Sequence, residues 1–211
     1  MKKPYLAILL FALLVPLALT SCSEEDNTVE EFPDWENTNN AYFTNLYDYA
    51  SGVTDGSWKV IKNFSLNDNI KGNATNSIVV EVLEAGTGSG CPMYTDSVLV
   101  SYRGRLLPST SYADGYVFSE TYEGDYNAAT AGRTALNVAD LVDGFTTALQ
   151  YMHIGDYWRV YIPYQLGYGS TGSDNIPEYS TLVFDIALHA YYRAGTPVGS
   201  RSAETGVWIT E

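Results

Sequence analysis

Residues 141–163 read LVDGFTTALQYMHIGDYWRVYIP, and this stretch contains the change of pattern that decides the fold. In its first half an apolar residue recurs at helical spacing, at Leu141, Phe145, Leu149 and Met152. Gly155 then ends the helical pattern, as glycine commonly does at the end of a helix. In the second half every other residue is apolar and shares one face, at Trp158, Val160 and Ile162. The stretch therefore predicts a short helix followed directly by a β-strand.

The segments on both sides of this stretch predict further strands. Alternating or β-branched apolar residues occupy 78–83, 98–103, 117–118 and 184–190. Residues 121–133 and 167–175 lack periodicity and are rich in small and polar residues, which indicates loops. The sequence thus predicts an α+β fold in which an antiparallel twisted sheet wraps around one short helix. We assign this domain to residues 77–192.

An extension precedes the sheet domain and a short tail follows it. Asp34 is predicted to cap a helix that runs to about Tyr49 or Ala50, and residues 58–66 alternate well enough to form a strand. We expect the extension, residues 34–76, to pack against the sheet domain or to mediate dimerisation. The tail, residues 193–211, is polar, and Val207-Trp208-Ile209 is its one segment suited to docking.

The first twenty-one residues have the pattern of an export signal. Lys2 and Lys3 precede an almost uninterrupted apolar run from Tyr5 to Leu19. This run is shorter than the ~20 apolar residues that a transmembrane helix needs, and it has the length of a secretory signal core. Residues 1–21 are therefore predicted to be a signal peptide.

Cys22 follows this segment in the context Leu19-Thr20-Ser21-Cys22. This context resembles the lipobox of bacterial lipoproteins, in which a cysteine after small residues receives a diacylglyceryl group. We expect lipidation of Cys22, a linker over 22–33 and attachment to the outer membrane of the cell envelope. An ordinary signal peptide with an incidental cysteine is the alternative. The acidic segment 23–26 resembles a surface-export tag or is a solvated spacer, so both the periplasmic and the surface face remain open.

The charge of the chain restricts its partners. It has 25 Asp and Glu residues against 11 Lys and Arg residues, a formal net charge of −14. Such an excess repels the phosphates of nucleic acids and argues against electrostatic binding to anionic lipid. With Cys22 lipidated, Cys91 is the remaining thiol, so the predicted stability comes from the apolar core rather than from a disulfide.

The usual catalytic motifs are missing from the sequence. No Gly-x-Ser-x-Gly occurs, and the two histidines, His153 and His189, have no second ligand at metal-binding spacing. We therefore expect neither a metal ion nor a cofactor. The prominent feature is aromatic, with 18 tyrosines, 4 tryptophans and 7 phenylalanines.

Six short motifs follow one another in an order that resembles the FKBP-type peptidyl-prolyl cis/trans isomerases. They are VSYRG at 100–104, VFSET at 117–121, LVDGFTTAL at 141–149, MHIGDYWRVYIP at 152–163, LGYG at 166–169, and the closing pair IP at 176–177 and TLVFDI at 181–186. Each motif alone is weak, but the ordered set is specific. The resemblance covers residues 78–192 and says nothing about residues 23–77 or the tail.

This resemblance implies a pocket for a prolyl ring. Its catalytic side chains would be Tyr102, Phe118, Ser119, Phe145, Tyr168 and Phe184, and its substrate-binding side chains Leu141, Val142 and Ile176. Phe145 would form the floor, where most family members have tryptophan. Tyr168 would offer its hydroxyl to a substrate carbonyl, while Phe118 and Phe184 would clasp the ring.

Two positions depart from the family's pattern. Ser119 stands where most active members have aspartate, which removes a charge beside the pocket. In most family members an aromatic residue begins the strand before the helix. The corresponding position in this sequence falls near Gly132 or Thr134, and neither of these residues is aromatic. One wall of the pocket is therefore expected to lack its aromatic side chain.

The function implied by the resemblance is cis/trans isomerisation of X-Pro bonds in exported, proline-containing polypeptides. The barrier arises from amide resonance, so its reduction requires no nucleophile, metal or cofactor, in agreement with the missing motifs. One alternative is the same fold with weak or no catalysis, retained at the cell surface for binding a peptide or a glycan. Another is an envelope chaperone in which the extension holds the client.

Overall fold

The computed structural model describes residues 29–193 and 206–211. The predicted signal peptide and lipidation site, and parts of the predicted linker and tail, lie outside the described residues. The described chain has helices α1 (Trp35–Gly52) and α2 (Asp143–Leu149) and short 3-10 helices at Val138–Asp140 and Tyr164–Leu166. Its strands are β1 (Trp58–Lys62), β2 (Ser77–Glu84), β3 (Ser97–Arg105), β4 (Val117–Glu120), β5 (Thr134–Asn137), β6 (Tyr157–Ile162), β7 (Leu182–Arg193) and β8 (Val207–Ile209). Neither α-helix of this described part is both long and apolar enough to span a membrane.

All eight described strands form one antiparallel sheet. Six of them follow in the order β1-β2-β6-β7-β3-β4, while β5 pairs with β3 and β8 pairs with β7. Strand β7 is the longest, with 12 residues, and it pairs with β6 on one side and with β3 on the other. The predicted α+β fold is confirmed, and β7 is its central strand.

Helix α2 packs closely against the inner face of this sheet. A side chain at Gly144 would overlap Ile162 of β6, so the absence of a Cβ lets the first turn of the helix approach that strand. The helix contributes the buried residues Phe145, Ala148 and Leu149, and β6 contributes the fully buried residues Trp158, Val160 and Ile162. Burial of this apolar surface is the main force that holds the helix on the sheet.

A buried carboxylate lies on the other face of β7. The Oδ1 atom of Asp185 accepts a hydrogen bond from Nε of Arg159 at 2.6 Å, and its Oδ2 atom accepts one from Nη2 of the same guanidinium at 3.1 Å. Nη1 of Arg105 approaches Oδ2 at 3.4 Å. The hydrogen bonds that Arg159 donates to Asp185 raise the pKa of Arg159 above its usual value. Two arginines thus compensate the charge of a residue that is only 5% exposed.

Helix α1 is held on the sheet domain by hydrogen bonds made by two of its buried side chains. Nε1 of Trp35 donates a hydrogen bond to Oγ of Ser180 at 2.8 Å. Asn39, which is 1% exposed, accepts a hydrogen bond from the backbone N–H of Thr181 at 2.7 Å and donates one to the carbonyl of Trp35. The extension therefore packs directly on the segment that leads into β7, one of the two alternatives expected for it.

Two predicted element boundaries are wrong, each for a local reason. The helix predicted over 141–152 ends at Leu149, because Tyr151 N–H bonds to the carbonyl of Ala148 in a tighter turn. The strand predicted over 58–66 ends at Lys62, because the Asn63 side chain accepts the N–H of Ser65 and turns the chain.

Asp34 precedes α1 as predicted but makes no side-chain bond to the backbone of the helix. It has a left-handed conformation with φ of 49°, and its carboxylate accepts a hydrogen bond from the side chain of Asn37 at 2.6 Å. The segment Val207-Trp208-Ile209 docks as β8 beside residues 191–193 of β7.

The first prediction concerns the attachment of α1. Asn39→Ala leaves the buried N–H of Thr181 without its acceptor, so the free energy of unfolding should fall by about 1–3 kcal/mol. Urea denaturation followed by tryptophan fluorescence measures the change, and Thr38→Ala on the exposed face of the same helix is the control. Equal stability of the two variants would contradict a structural role for this contact.

Candidate active site

A cavity of about 380 Å³ opens where α2, the strands β3, β4, β5 and β7, and the loop after β6 meet. The residues that line it are Tyr102, Phe118, Ser119, Leu136, Asp140, Leu141, Val142, Phe145, Tyr168, Ser173, Asp174, Asn175, Ile176 and Phe184. All nine residues predicted for the prolyl pocket are in this set. The structure therefore brings them together, although they are spread over more than eighty positions of the chain.

Phe184 is the central ring of the cavity. Its centroid lies 4.9 Å from the ring of Phe145, with the planes at 80°, and 5.4 Å from the ring of Phe118, with the planes at 85°. The ring of Tyr102 is 6.2 Å away. Edge-to-face contacts of this kind stabilise aromatic clusters beyond the burial of their area. Because each ring restrains its neighbours, the apolar wall is preformed.

Tyr102 and Ser119 form a polar edge beside these rings. The hydroxyl oxygen of Tyr102 and Oγ of Ser119 are 2.8 Å apart, a hydrogen-bond distance. The serine comes from β4 and the tyrosine from β3, the strands that also carry Phe118 and Gly104. A neutral hydroxyl thus occupies the position where the family resemblance led us to expect a carboxylate in most active members.

The helix side of the cavity consists of three apolar residues. Leu141 and Val142 lie in the extended segment just before α2 and are half-buried, whereas Phe145 in the first turn is 3% exposed. Helix α2 begins only at Asp143, and this late start leaves the Leu141 and Val142 side chains at the cavity. Phe145 lies deepest of the three, in the position expected of a floor.

The loop between β6 and β7 supplies the outer wall. Ser173 and Ile176 exchange backbone hydrogen bonds, which closes a turn. Gly172 within this loop has φ of +66°, and a Cβ there would overlap the carbonyl of Ile176. The turn buries Ile176. The side chain of Tyr168 also lines the cavity and remains 37% exposed.

Sequence reasoning missed the contribution of β5 and of the rim. Leu136 in β5 lines the cavity on the side where no aromatic residue was found, and the carbonyl of Gly132 instead accepts a hydrogen bond from Oγ of Ser101. The alternation in Thr134–Asn137 is the signal for Leu136, but four residues are too few to give a clear period. No such signal marks the rim of the cavity, because the polarity of a loop does not reveal whether the loop folds over a cavity. The rim residues are Asp140, Ser173, Asp174 and Asn175.

Both histidines lie outside the set of residues that line the cavity. Nε2 of His189 is 2.9 Å from Oγ of Ser101, and burial lowers the pKa of this histidine, so its neutral form is favoured. Nε2 of His153 is 3.8 Å from Sγ of Cys91, but burial raises the pKa of the thiol and disfavours a nucleophilic thiolate. No group of three or more metal-ligating side chains that could hold an ion occurs within residues 29–193 and 206–211.

Comparisons with known proteins identify the domain. Residues 88–189 match the family model described as FKBP-type peptidyl-prolyl cis-trans isomerase. The chain is 37% identical over 114 residues to the macrophage infectivity potentiator of Trypanosoma cruzi, covering 54% of this chain and 52% of that protein. It is 36% identical over 117 residues to the outer membrane protein MIP of Legionella longbeachae, covering 54% and 44%, respectively.

A solved structure agrees with the fold. A peptidyl-prolyl cis-trans isomerase from Pseudomonas syringae superposes with a TM-score of 0.51 and 25% identity, covering 74% of this chain and 94% of that one. Residues 88–189 are therefore an FKBP-type domain, and the resemblance seen in the motifs is confirmed. The chain spans about half the length of the curated relatives it matches.

The second prediction concerns the packing of the cavity rings. In Gly104→Ala the new methyl group would overlap the rings of Phe184 and Phe118, so the free energy of unfolding should fall by about 1–3 kcal/mol. Urea denaturation measures this loss, and ring-proton NMR shifts of the two phenylalanines should change with it. Gly52→Ala is the control, because a methyl group there meets no atom within 4 Å. Unchanged stability and ring shifts in Gly104→Ala would contradict the close packing.

Proposed function

We propose that this chain is a peptidyl-prolyl cis/trans isomerase that acts on exported, proline-containing polypeptides in the bacterial cell envelope. The observation that carries the proposal is the convergence of Phe118, Phe145 and Phe184 with Tyr168 on one cavity in an FKBP-type domain. The names of the family and of the solved relative describe the same reaction.

The cavity suits the chemistry of this reaction. Resonance gives the peptide bond a barrier of about 18–20 kcal/mol, and isomerisation of X-Pro bonds takes on the order of tens to hundreds of seconds. A prolyl ring placed against Phe145 and Phe184 leaves its amide in a weakly polar environment. The twisted amide has lost resonance and much of its dipole, so such an environment favours it relative to the planar amide. Only this difference in binding is needed for catalysis.

Hydroxyl groups at the cavity edge would position the substrate. Tyr168 is exposed enough to donate a hydrogen bond to the carbonyl of the residue beside the proline. The Tyr102 and Ser119 hydroxyls bond to each other at 2.8 Å, which holds the Tyr102 ring against Phe184. Because Ser119 is uncharged, the polar edge contributes hydrogen bonding and no charge to the bound amide.

We also propose that the protein is a lipoprotein attached through Cys22 to the outer membrane, with its leader removed. The support is the sequence of residues 1–22 and the name of the Legionella relative, an outer membrane protein. Residues 22–28 precede the described chain, and an extended segment of this length reaches at most about 25 Å. The isomerase domain would therefore act close to the membrane surface.

The third prediction tests the isomerase proposal. The purified protein should accelerate the cis-to-trans conversion of a chromogenic X-Pro peptide, and Phe184→Ala should lower kcat/KM by about 10- to 100-fold. This range follows from the ~1.5–3 kcal/mol that burial of a phenylalanine contributes. Phe64→Ala is the matched control, since Phe64 stacks on Tyr94 and does not line the cavity. No acceleration by the unmodified protein at micromolar concentration would contradict the proposal.

The fourth prediction tests the anchor. Cys22→Ser removes the thiol that would receive the diacylglyceryl group, so the protein should move from the membrane pellet to the soluble fraction of fractionated cells. Cys91→Ser removes the other thiol and should leave the protein in the pellet. Retention of Cys22→Ser in the pellet would show that attachment does not depend on lipid at this residue.

A further inference from the structure

A second cavity of about 410 Å³ adjoins the first at its rim. The two cavities share Asp174, Asn175 and Ile176, so they meet at the same loop. The remaining residues that line the second cavity are Glu31, Phe32, Tyr112, Tyr116 and Pro177. A polypeptide bound with its proline in the first cavity would reach the second within a few residues, because an extended chain advances about 3.3–3.6 Å per residue.

One wall of the second cavity comes from the end of the predicted linker, just before α1, and not from the FKBP-type domain. Glu31 and Phe32 precede the matched residues 88–189 by more than fifty positions. The Glu31 carboxylate accepts hydrogen bonds from Oγ of Ser109 and from the backbone N–H of Ser111, the latter at 2.9 Å. Phe32 packs edge-on against Trp35, with ring centroids 4.8 Å apart. These contacts hold the wall in place in the unliganded chain.

The chemistry of this cavity favours a cation on an apolar stem. Phe32, Tyr112 and Tyr116 present aromatic surface, and the rings of the two tyrosines are 5.1 Å apart. Glu31 and Asp174 add carboxylates, and hydrogen bonds from Ser109 and Ser111 lower the pKa of Glu31, which keeps it charged at neutral pH. Arginine and lysine side chains bind both to aromatic faces and to carboxylates.

The charges around both cavities have the same sign. Of the described residues that line them, Asp140, Asp174 and Glu31 are acidic and none is basic. An acidic client segment would be repelled at this rim, while a basic segment would be attracted and steered toward the prolyl pocket.

We propose that the second cavity is a subsite for a basic residue that flanks the proline of the same client polypeptide. The inference rests on the proposed isomerase function and specifies its substrate class. The subsite gives the end of the linker a role in selecting clients, since this segment supplies Glu31 and Phe32. It also makes this preference a property of the whole chain rather than of the FKBP-type domain alone.

The test uses the full chain and nine-residue peptides that contain one proline and a fluorophore. Each peptide carries Arg, Gln or Glu at a position two, three or four residues from the proline, on either side. At neutral pH and low salt, the Arg peptide should have a kcat/KM at least about threefold above that of the Gln peptide at one or more positions on one side of the proline. The Glu peptide should have a kcat/KM below that of the Gln peptide. Fluorescence anisotropy measures Kd for the same peptides.

Two charge variants and a matched control assign the preference to the subsite. Glu31→Gln keeps an acceptor for Ser109 and Ser111 but removes the charge, and Asp174→Asn removes the charge at the shared rim. Each should reduce the Arg-to-Glu ratio by about threefold or more, and Phe32→Ala should reduce it as well. Asp68→Asn, an exposed carboxylate outside both cavities, changes the net charge equally and should leave the ratio unchanged.

The outcomes separate this inference from the proposed function. An Arg-to-Glu ratio near one in the unmodified protein, or a ratio that Glu31→Gln and Asp174→Asn leave intact, overturns the subsite even if the protein is an active isomerase. If no peptide is isomerised but the Kd ratio depends on Glu31 and Asp174, the basic subsite is supported and the isomerase proposal fails. A fall in the Arg-to-Glu ratio as the salt concentration rises from about 0.05 M to about 0.5 M supports an electrostatic origin of the preference.

Discussion

The register of strand β7 is the constraint on which the site depends. Successive residues of a strand face opposite sides of a sheet, so Phe184 points into the cavity and Asp185 points away from it. The guanidinium of Arg159 binds Asp185 with two hydrogen bonds, at 2.6 and 3.1 Å, and Arg105 adds a third contact. A slip of one residue would move the phenylalanine to the arginines and bury an unpaired carboxylate among the rings, which is far costlier than either native environment. Pairing with β6 and β3 on both edges makes such a slip impossible without breaking the sheet.

The remaining parts of the site are arranged around this strand. β3 and β4 bring the rings of Tyr102 and Phe118 close to Phe184, and the start of α2 adds the ring of Phe145. Ser180, two residues before β7, accepts the indole N–H of Trp35 from α1. The extension is therefore fastened next to the strand that carries the central ring. This attachment explains how Glu31 and Phe32, remote in sequence, reach the rim of the cavity.

The fold and most of the cavity could be predicted from the sequence, because alternation and helical spacing report which side chains are buried. The same reasoning, with the ordered motifs, selected Phe184, Phe145 and Tyr168 correctly as neighbours in space. It could not find Leu136, whose four-residue strand is too short to give a clear period. It also could not place Glu31 and Asp174 on the same cavity, since this depends on how two loops fold over the sheet. Loop polarity is similar whether a carboxylate faces a cavity or bulk water.

We propose that the aromatic cavity binds a prolyl ring and lowers the barrier to rotation of its amide. Two-dimensional NMR exchange spectroscopy on a proline peptide with a substoichiometric amount of the protein tests both parts at once. Catalysis should give cis–trans exchange cross-peaks that are absent without protein, because the uncatalysed process takes on the order of tens to hundreds of seconds. Binding in the cavity should give nuclear Overhauser contacts between the proline ring protons and the rings of Phe184 and Phe145. Contacts to these rings without exchange would contradict catalysis, and exchange without such contacts would contradict the site.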